Sequence, residues 1–337
     1  MPRSAPAFWR TRSFVALTLL PLSALFVLLS ALRRLLFRAG VLKAVRVPVP
    51  VVVVGNIAVG GSGKTPVVEW LVRNLREAGL RPGIISRGYG GSIEGEALVP
   101  PDGDPATFGD EPVLLARLAG CPVAVGADRP AVARALLQAH PECDVIISDD
   151  GLQHYRLHRD VEVAVVDERT LGNRWLLPAG PLREPVGRLD EVDLILAHGE
   201  FSDALAHRFG RRPVFPMALE GTEFFSLRDS RERCGAEAFR GRRVHAVAGI
   251  GRPERFFSQL AAMGLDVVAH PFPDHHRFAP VDLDFAPGEP KILTSKDAVK
   301  CASFAPPDTW EFPVRARIAA GAAERILEKL THGRQTA

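Results

Sequence analysis

Cysteine is scarce in this 337-residue chain: Cys121, Cys143, Cys234 and Cys301 lie far apart, with no C-x-x-C pair among them. That spacing suggests neither a zinc site nor a disulfide framework, and it fits a reducing cytosol. Acidic residues are missing from the first 46 positions, where Arg3, Arg10, Arg12, Arg33, Arg34, Arg38, Lys43 and Arg46 gather. Over the whole chain the charges nearly balance, 42 basic against 39 acidic, so nothing points to a nucleic-acid partner. No repeat and no low-complexity block interrupts the chain. With 47% hydrophobic and 24% charged residues it is ordinary globular protein rather than a disordered tail. Single cores stop growing at roughly 250–300 residues, so a chain of this length is expected to hold two.

What is present begins with residues 13–32, "SFVALTLLPLSALFVLLSAL", a run of 20 without a charge. A helix needs about 20 such residues to cross a bilayer core, which makes membrane contact the expectation. A signal peptide shares this outline, but no A-x-A cleavage site precedes the arginines. A buried core helix is the blander alternative. Pro21, Ser23 and Ser30 dilute the run, and arginines flank it on both sides. The pattern therefore suits either a spanning helix or one lying in a leaflet with Arg33, Arg34 and Arg38 on lipid phosphates.

From Val47 onward, apolar runs alternate with helical patterns, the signature of a mostly parallel sheet flanked by helices. The strands read as "VPVVVVGN", "RPGIIS", "CPVAVG", "CDVIISDDG", "VEVAVVDER" and "EVDLILAHG". A second, smaller α/β unit follows residue 215, built on "RRVHAVAGIG", the helix after Pro253 and "PKILTSKDAVK". "VFPMALEGTEFF" and "TWEFPVRARI" are placed as the two crossings between units. The expected division is 1–46 for the membrane-associating helix, 47–215 for a P-loop nucleotide-binding domain, 216–316 for the smaller domain and 317–337 for a C-terminal helix that could pack back on the first domain.

The central motif is "VVVVGNIAVGGSGKTP", residues 51–66. A P-loop needs G-x-x-x-x-G-K-[ST], whose backbone N–H groups wrap phosphates while the lysine meets the outer ones and the hydroxyl holds magnesium. Gly63, Lys64 and Thr65 match, but position 58 is alanine. Gly60, Gly61, Ser62 and Gly63 still let the backbone bend around an anion, and the helix that follows adds its positive end. A glycine turn with an incidental lysine is the competing reading. Asp149 and Asp150, at the end of "VIISDD", supply the acidic residues that a P-loop uses for its metal; a strand-ending turn is the plainer account of them.

Transfer differs from hydrolysis in needing a base that faces an acceptor hydroxyl. Candidates are Asp110, Glu111, His154, His275 and His276. Asp110, in "FGDEP", is equally placed to cap a helix. "HPFPDHHRF" gathers His270, Asp274, His275 and His276, where a carboxylate–histidine pair is more plausible than a metal site. "LLPAGPLREP" contributes Arg183 and Glu184, and "SRGYGG" contributes Arg87 and Tyr89; arginines can neutralise a phosphoryl group in flight or make surface ion pairs.

Taken together, "GNIAVGGSGKTP", "ISRGYGG", "GDEPVLLA", "ISDDGLQH", "LLPAGPLREP", "GIGRPERFF", "FPDHHRF" and "LTSKDAVK" resemble the tetraacyldisaccharide 4′-kinases, the lipid A 4′-kinases of Gram-negative bacteria. The family pattern reads G-N-x-x-x-G-G-x-G-K-T, so the alanine at 58 belongs to the resemblance. It implies ATP, magnesium, a larger P-loop domain joined to a smaller one by a two-stranded linker, and transfer of the γ-phosphate to the 4′-hydroxyl of a tetraacyldisaccharide 1-phosphate to form lipid IVA. It implies that Lys64 and Thr65 serve phosphate and metal, that Asp149 and Asp150 serve the metal region, and that Asp110 is the base assisted by His275. Arg183, Tyr89, Glu111, Gln153, His154 and Glu184 fall on active-site motifs, and "DHH" offers His276 as a second partner for Asp110. The place implied is the cytoplasmic face of the inner membrane, with no obligate protein partner. Two rivals remain at this point: a GTPase-like nucleotide switch at the membrane, for which N-K-x-D is missing, and a kinase with a soluble acceptor, for which the apolar leader is superfluous.

Overall fold

Four successive valines suit a strand covered on both faces, because β-branched side chains pack well on a pleated surface. They form β1 (Val51–Gly55), every residue of which is buried. The computed structural model describes residues 6–335 apart from 200, 203–204, 206–211 and 230. After β1 come β2 (Pro82–Ser86), β3 (Ala97–Leu98), β4 (Val123–Val125), β5 (Val145–Asp149), β6 (Val161–Val166), β7 (Leu194–His198) and β8 (Val214–Glu220). A second group comprises β9 (Phe224–Ser226), β10 (Arg233–Cys234), β11 (Arg243–Ala248), β12 (Asp266–Pro271), β13 (Lys291–Thr294) and β14 (Thr309–Phe312), and β15 (Arg315–Ile318) ends the series. Among the described residues the helices are α1 (Phe14–Thr18), α2 (Leu20–Arg38), α3 (Lys64–Glu77), α4 (Pro105–Phe108), α5 (Asp110–Ala119), α6 (Arg129–Ala139), α7 (Pro253–Ala262), α8 (Ser295–Cys301) and α9 (Ala322–Gln335).

The strands make a nine-stranded sheet, ordered β15-β8-β7-β6-β1-β5-β2-β4-β3, and a six-stranded sheet, ordered β10-β9-β14-β13-β11-β12. In the large sheet the pairing is parallel except at the two edges, β15 on β8 and β3 on β4. β1 lies between β5 and β6 and so marks a point where the strand order reverses. Ligands of open α/β sheets bind outside the carboxyl ends of strands at such points. Val54 is paired with Asp149, which brings the turn after β1 beside the end of β5.

Helix α3 buries Val67, Val68, Leu71, Val72 and Leu75, spaced to face the sheet on one side. It stops where Gly79 turns to φ +82, with Leu80 N–H on Leu75 O and Gly79 N–H on Arg76 O, a Schellman closure that needs a left-handed residue. Helix α9 lays Ala322, Ile326 and Leu330 into the same core, so the chain's last helix lies on α3.

β8 stays in the large sheet as far as Glu220, so the chain crosses at Gly221, beyond the 215/216 division read from the pattern. The return crossing is at Pro313 and Val314, and β15 pairs back on β8. The two crossings touch: a Cβ on Gly221 would stand 2.5 Å from Pro313 O. Arg117 of α5 adds a bidentate contact of 2.7 Å to Glu311 of β14.

The apolar run near the amino terminus is two helices rather than one. α1 ends at Thr18 and α2 begins with Pro21 in its first turn; proline has no N–H with which to continue the preceding helix. Among the described residues α2 is the one helix long and apolar enough to cross a membrane, with a mean hydropathy of 1.8. Only 6% of that stretch is buried, which rules out the core-helix reading. α2 is nonetheless pinned to the large unit. Ser23 Oγ donates to Leu176 O at 2.7 Å and accepts from Ala179 N–H, while Arg34 and Arg38 meet Glu191 at 2.7 and 2.6 Å. Phe37 packs on Tyr155. Leu22, Leu25, Leu29 and Leu32 project from the opposite face into solvent.

Candidate active site

The turn after β1 explains its own missing glycine. Ala58 is buried, forms an antiparallel bridge with Leu182, and is absent from the non-glycine residues with positive φ. The left-handed bends come later, at Gly60 (φ +112) and Gly63 (φ +87), where a side chain would be strained. A Cβ on Gly63 would also press on Leu219 and His198. Asn56 Nδ2 braces the loop from inside, donating to Ser62 Oγ at 3.1 Å and Gly60 O at 3.4 Å. Lys64 and Thr65 open α3, so the loop N–H groups and the positive helix end face the same space.

Asp149 and Asp150 close β5 beside this loop. Asp150 takes a left-handed φ of +47, which turns its carboxylate to Lys64 Nζ at 3.5 Å and Arg183 NH1 at 2.8 Å. Burial alone would raise its pKa, but Lys64 and then Arg183 hold it well below the carboxylate range. Asp149 behaves oppositely. Burial, with Glu111 and Asp150 adding negative charge nearby, pushes it up to about 7. Asp149 Oδ1 and Asp150 Oδ1 are both buried without a hydrogen-bond partner.

Arg183 reaches Asp150 because its loop is stitched to the nucleotide turn: Val59 N–H donates to Pro181 O and Arg183 N–H to Ile57 O. Glu184, next in the chain, is buried. It accepts from Gln153 Nε2 at 2.8 Å and from the Tyr155 hydroxyl. Gln153 also donates to Asn56 O, so this pair supports the loop from below rather than lining up with an acceptor. His154 is half-buried; burial, then Arg129 and Arg87, lowers its pKa to about 4 and keeps it neutral.

Asp110 is the first residue of α5, not its cap, which is Gly109. One oxygen accepts the Glu111 N–H, as helix starts favour, yet both oxygens also face His275 Nδ1, at 3.2 and 3.0 Å. Burial would raise the pKa of Asp110, but the His275 hydrogen bond and the charges of Lys296, His275 and Lys300 bring it down to about 2. Burial would lower His275, and the bond to Asp110 more than offsets this and raises it. The exposed Tyr89 ring stands edge-on to His275 at 5.1 Å. His276 turns elsewhere, onto Asp282 at 3.0 Å and between Phe272 and Phe278. The left-handed φ of +58 at His275 separates the two neighbours and sends only the first toward Asp110. Glu111 faces Lys296 at 3.1 Å.

Several site residues carried no separate signal in the sequence. Asp167, at the end of β6, is buried under Arg252 and Arg255 of the small unit, each at 2.8 Å. Arg255 continues to His198, whose Nδ1 stands 3.3 Å from Ser62 O of the nucleotide turn. The small unit thereby reaches the loop through His198 of β7. Arg252, Arg255 and Lys296 all lie in quoted motifs, but their partners are far away in sequence.

The phosphate loop, Asp149, Asp150, Arg183, Glu111 and His275 line one cleft of about 2080 Å³. It is walled by Gly60–Thr65, by Arg252, Lys296 and His275 of the small unit, and by Phe26, Ser30, Arg33 and Arg34 of α2.

The family described as tetraacyldisaccharide-1-P 4′-kinase matches residues 15–331. A tetraacyldisaccharide 4′-kinase of Aromatoleum aromaticum is 75% identical over 337 residues, covering 100% of both chains. That of Azoarcus sp. is 70% identical over 334 residues, covering 99% of this chain and 97% of the relative. Among solved structures, LpxK from Aquifex aeolicus in complex with ATP superposes with a TM-score of 0.79 at 29% identity, covering 94% of this chain and 100% of that one. With a glycine turn that opens a helix, a carboxylate–histidine pair at 3.0 Å and relatives matched along nearly their whole length, the chain belongs to the tetraacyldisaccharide 4′-kinase family.

Proposed function

We propose that this chain transfers the γ-phosphate of ATP to the 4′-hydroxyl of a tetraacyldisaccharide 1-phosphate, forming lipid IVA in lipid A biosynthesis. The observation that carries the reading is the continuity of the cleft from the phosphate loop to the apolar helix α2. A nucleotide at one end and a lipid headgroup at the other would meet within it.

Lys64 and the N–H groups of residues 60–65 hold the outer phosphates, and Arg183 adds positive charge beside them. The Asp110–His275 pair faces the acceptor from the other wall, with Asp110 as the base and His275 as its oriented partner. Proton removal and phosphoryl transfer are then served by different walls. Tyr89 covers the imidazole, and Glu111, Gln153, His154 and Glu184 shape and support the surroundings.

Magnesium suits the residues present. Asp149 and Asp150 each keep a buried carboxylate oxygen without a hydrogen-bond partner, and burial beside the Glu111 and Asp150 charges raises the pKa of Asp149. Oxygen donors are what this hard cation takes. Thr65, Asp149 and Asp150 would hold it, and once bound it supplies charge neutralisation for the phosphate oxygens.

A GTPase-like switch is not favoured. The nearest text to a guanine-reading motif, Thr294–Asp297, is occupied in starting α8, with Thr294 Oγ1 accepting the Asp297 N–H.

The attachment we infer is to the cytoplasmic leaflet of the inner membrane, with α2 lying flat. Ser23 near one end and Arg34, Phe37 and Arg38 near the other tie the helix along the protein body. A helix held along that length does not leave the body to cross a bilayer. Its free face of Leu22, Leu25, Leu29 and Leu32 would sink among acyl chains while Arg33 meets headgroup phosphate. Each leucine side chain fully buried contributes about 1.5–3 kcal/mol, so replacing Leu25 and Leu29 by Glu should lower flotation with anionic vesicles more than tenfold. Unchanged flotation would remove this face from the account.

The decisive assay for the activity is incubation of the purified protein with magnesium-ATP and a detergent-dispersed lipid A disaccharide precursor. A lipid heavier by one phosphate in the mass spectrum is expected; ATP consumption with no phosphorylated lipid would reject the transfer.

A further inference from the structure

The base is divided between the two units. Asp110 opens α5 in the large one, and His275 lies in the loop after β12 in the small one. Lys296, in the first turn of α8, sits at that seam. Across it, the ammonium lies 3.1 Å from Glu111 Oε1 and 3.8 Å from Asp110 Oδ2. On its own side it lies 3.6 Å from Asp274 Oδ1 and 3.4 Å from His275 Nε2. Its side chain is 16% exposed, so water screens these charges little. Arg117 to Glu311, a further polar link across the seam at α5, touches neither member of the pair.

Lys300, one turn further along α8, provides the contrast. Its ammonium is 2.7 Å from Asp297 Oδ1 and 3.9 Å from Asp110. Asp297 is fully buried and also takes the Gly249 N–H and the Thr294 hydroxyl. Lys300 therefore pairs chiefly within the small unit, with a longer contact to Asp110. Every partner of Lys296 belongs to the pair or adjoins it in the chain.

We propose that Lys296 is the positioning residue that clamps the small unit onto Asp110 and Glu111, holding the Asp110–His275 pair in register and setting its affinity for protons. It acts through the pair and keeps its own proton. As the bond from the acceptor oxygen to phosphorus forms and the bond from phosphorus to the ADP oxygen breaks, the hydroxyl proton goes to the Asp110–His275 pair. The catalytic half of the inference rests on the kinase reading; the electrostatic half does not.

The groups facing Asp110 are His275, Lys296 and Lys300, with the Glu111 N–H on one oxygen and the Glu111 carboxylate adjoining. Those facing His275 are Asp110, Asp274, Lys296 and the Tyr89 ring. Removing the Lys296 charge takes a cation from both, so both should bind protons at higher pH.

The test compares Lys296→Met, which keeps the stem, with Lys296→Arg, which keeps the charge. With magnesium-ATP and the lipid disaccharide acceptor, Lys296→Met should lower kcat about tenfold, short of the ~10²–10⁴ range for loss of a base, and leave the ATP KM unchanged. The acid limb of the kcat profile should move to higher pH, and Lys296→Arg should restore most of both. Independently of turnover, the imidazole of His275, assigned in NMR spectra by comparison with His275→Gln, should titrate at higher pH in Lys296→Met. Wild-type kcat with an unmoved His275 midpoint overturns the proposal. So does lost activity with an unmoved midpoint and no recovery in Lys296→Arg, which would mark the lysine as merely structural. If the wild-type protein phosphorylates no lipid, the kinase reading fails, and the His275 titration still decides the role of Lys296.

Discussion

The two walls of the cleft are built in opposite ways. On the phosphate wall, Asn56, Gly60, Gly63, Lys64 and Thr65 come from one strand, one turn and one helix, and brace one another over a few ångströms. On the base wall, Asp110 and His275 stand 165 positions apart in the chain and meet because α8 of the small unit packs on α5. The difference teaches how binding and chemistry are separated. A polyphosphate can be gripped by a loop drawn from one unit, whereas in the proposed mechanism proton removal waits on the docking of a second unit. The bridge from Asp167 through Arg255 and His198 to Ser62 ties that docking back to the phosphate loop.

Asp110→Ala tests the separation most severely. It should lower kcat by about 10²–10⁴ while nucleotide titration shows ATP affinity retained. Lost ATP binding with transfer intact would erase the distinction between the walls. Lys64→Ala should fail the other way, reducing ATP affinity and transfer together by about 10²–10³. Its thermal unfolding should stay near wild type, because Arg183 still holds Asp150 at 2.8 Å when the 3.5 Å contact of Lys64 is lost. Wild-type turnover in this variant would refute the assignment of the loop. A smaller effect is expected from Gly221→Ala, where the new Cβ would stand 2.5 Å from Pro313 O and force the crossings apart. Misplacement of the base wall should cost up to about 10²-fold in transfer with ATP affinity kept. An equal loss in both measurements would mean that the walls move as one.

The large sheet was legible in the sequence wherever a short apolar run ended in a turn, as in β1, β2, β5 and β7. The phosphate loop was legible from spacing alone, and its alanine at 58 needed only the backbone angles to be understood. The proposed base was harder to read. Asp110 in "GDEP" reads as a cap or as a base with equal ease, and the structure has it bonding its own helix end as well as His275. "DHH" offered two neighbouring imidazoles, and the bend at His275 separated them. Lys296, Arg252, Arg255 and Asp167 were hidden for another reason: a lone lysine or arginine in a loop or helix says nothing about a carboxylate a hundred positions away. The apolar leader showed its composition but not its break after Thr18, nor the bonds by which Ser23 and Arg34 hold it to the body.

By itself the sequence determined what depends on near neighbours: strands from apolar runs, helix ends from glycine and proline, and an anion-binding turn from left-handed glycines next to a lysine. These obey backbone sterics within a few residues, so no partner is needed to read them. Only the tertiary structure decided which charges meet, because the pairing of Asp110 with His275, of Lys296 with Glu111 and of α2 with Glu191 depends on where whole elements pack. Coulomb and hydrogen-bond energies fall steeply with distances that the order of residues along a chain does not specify.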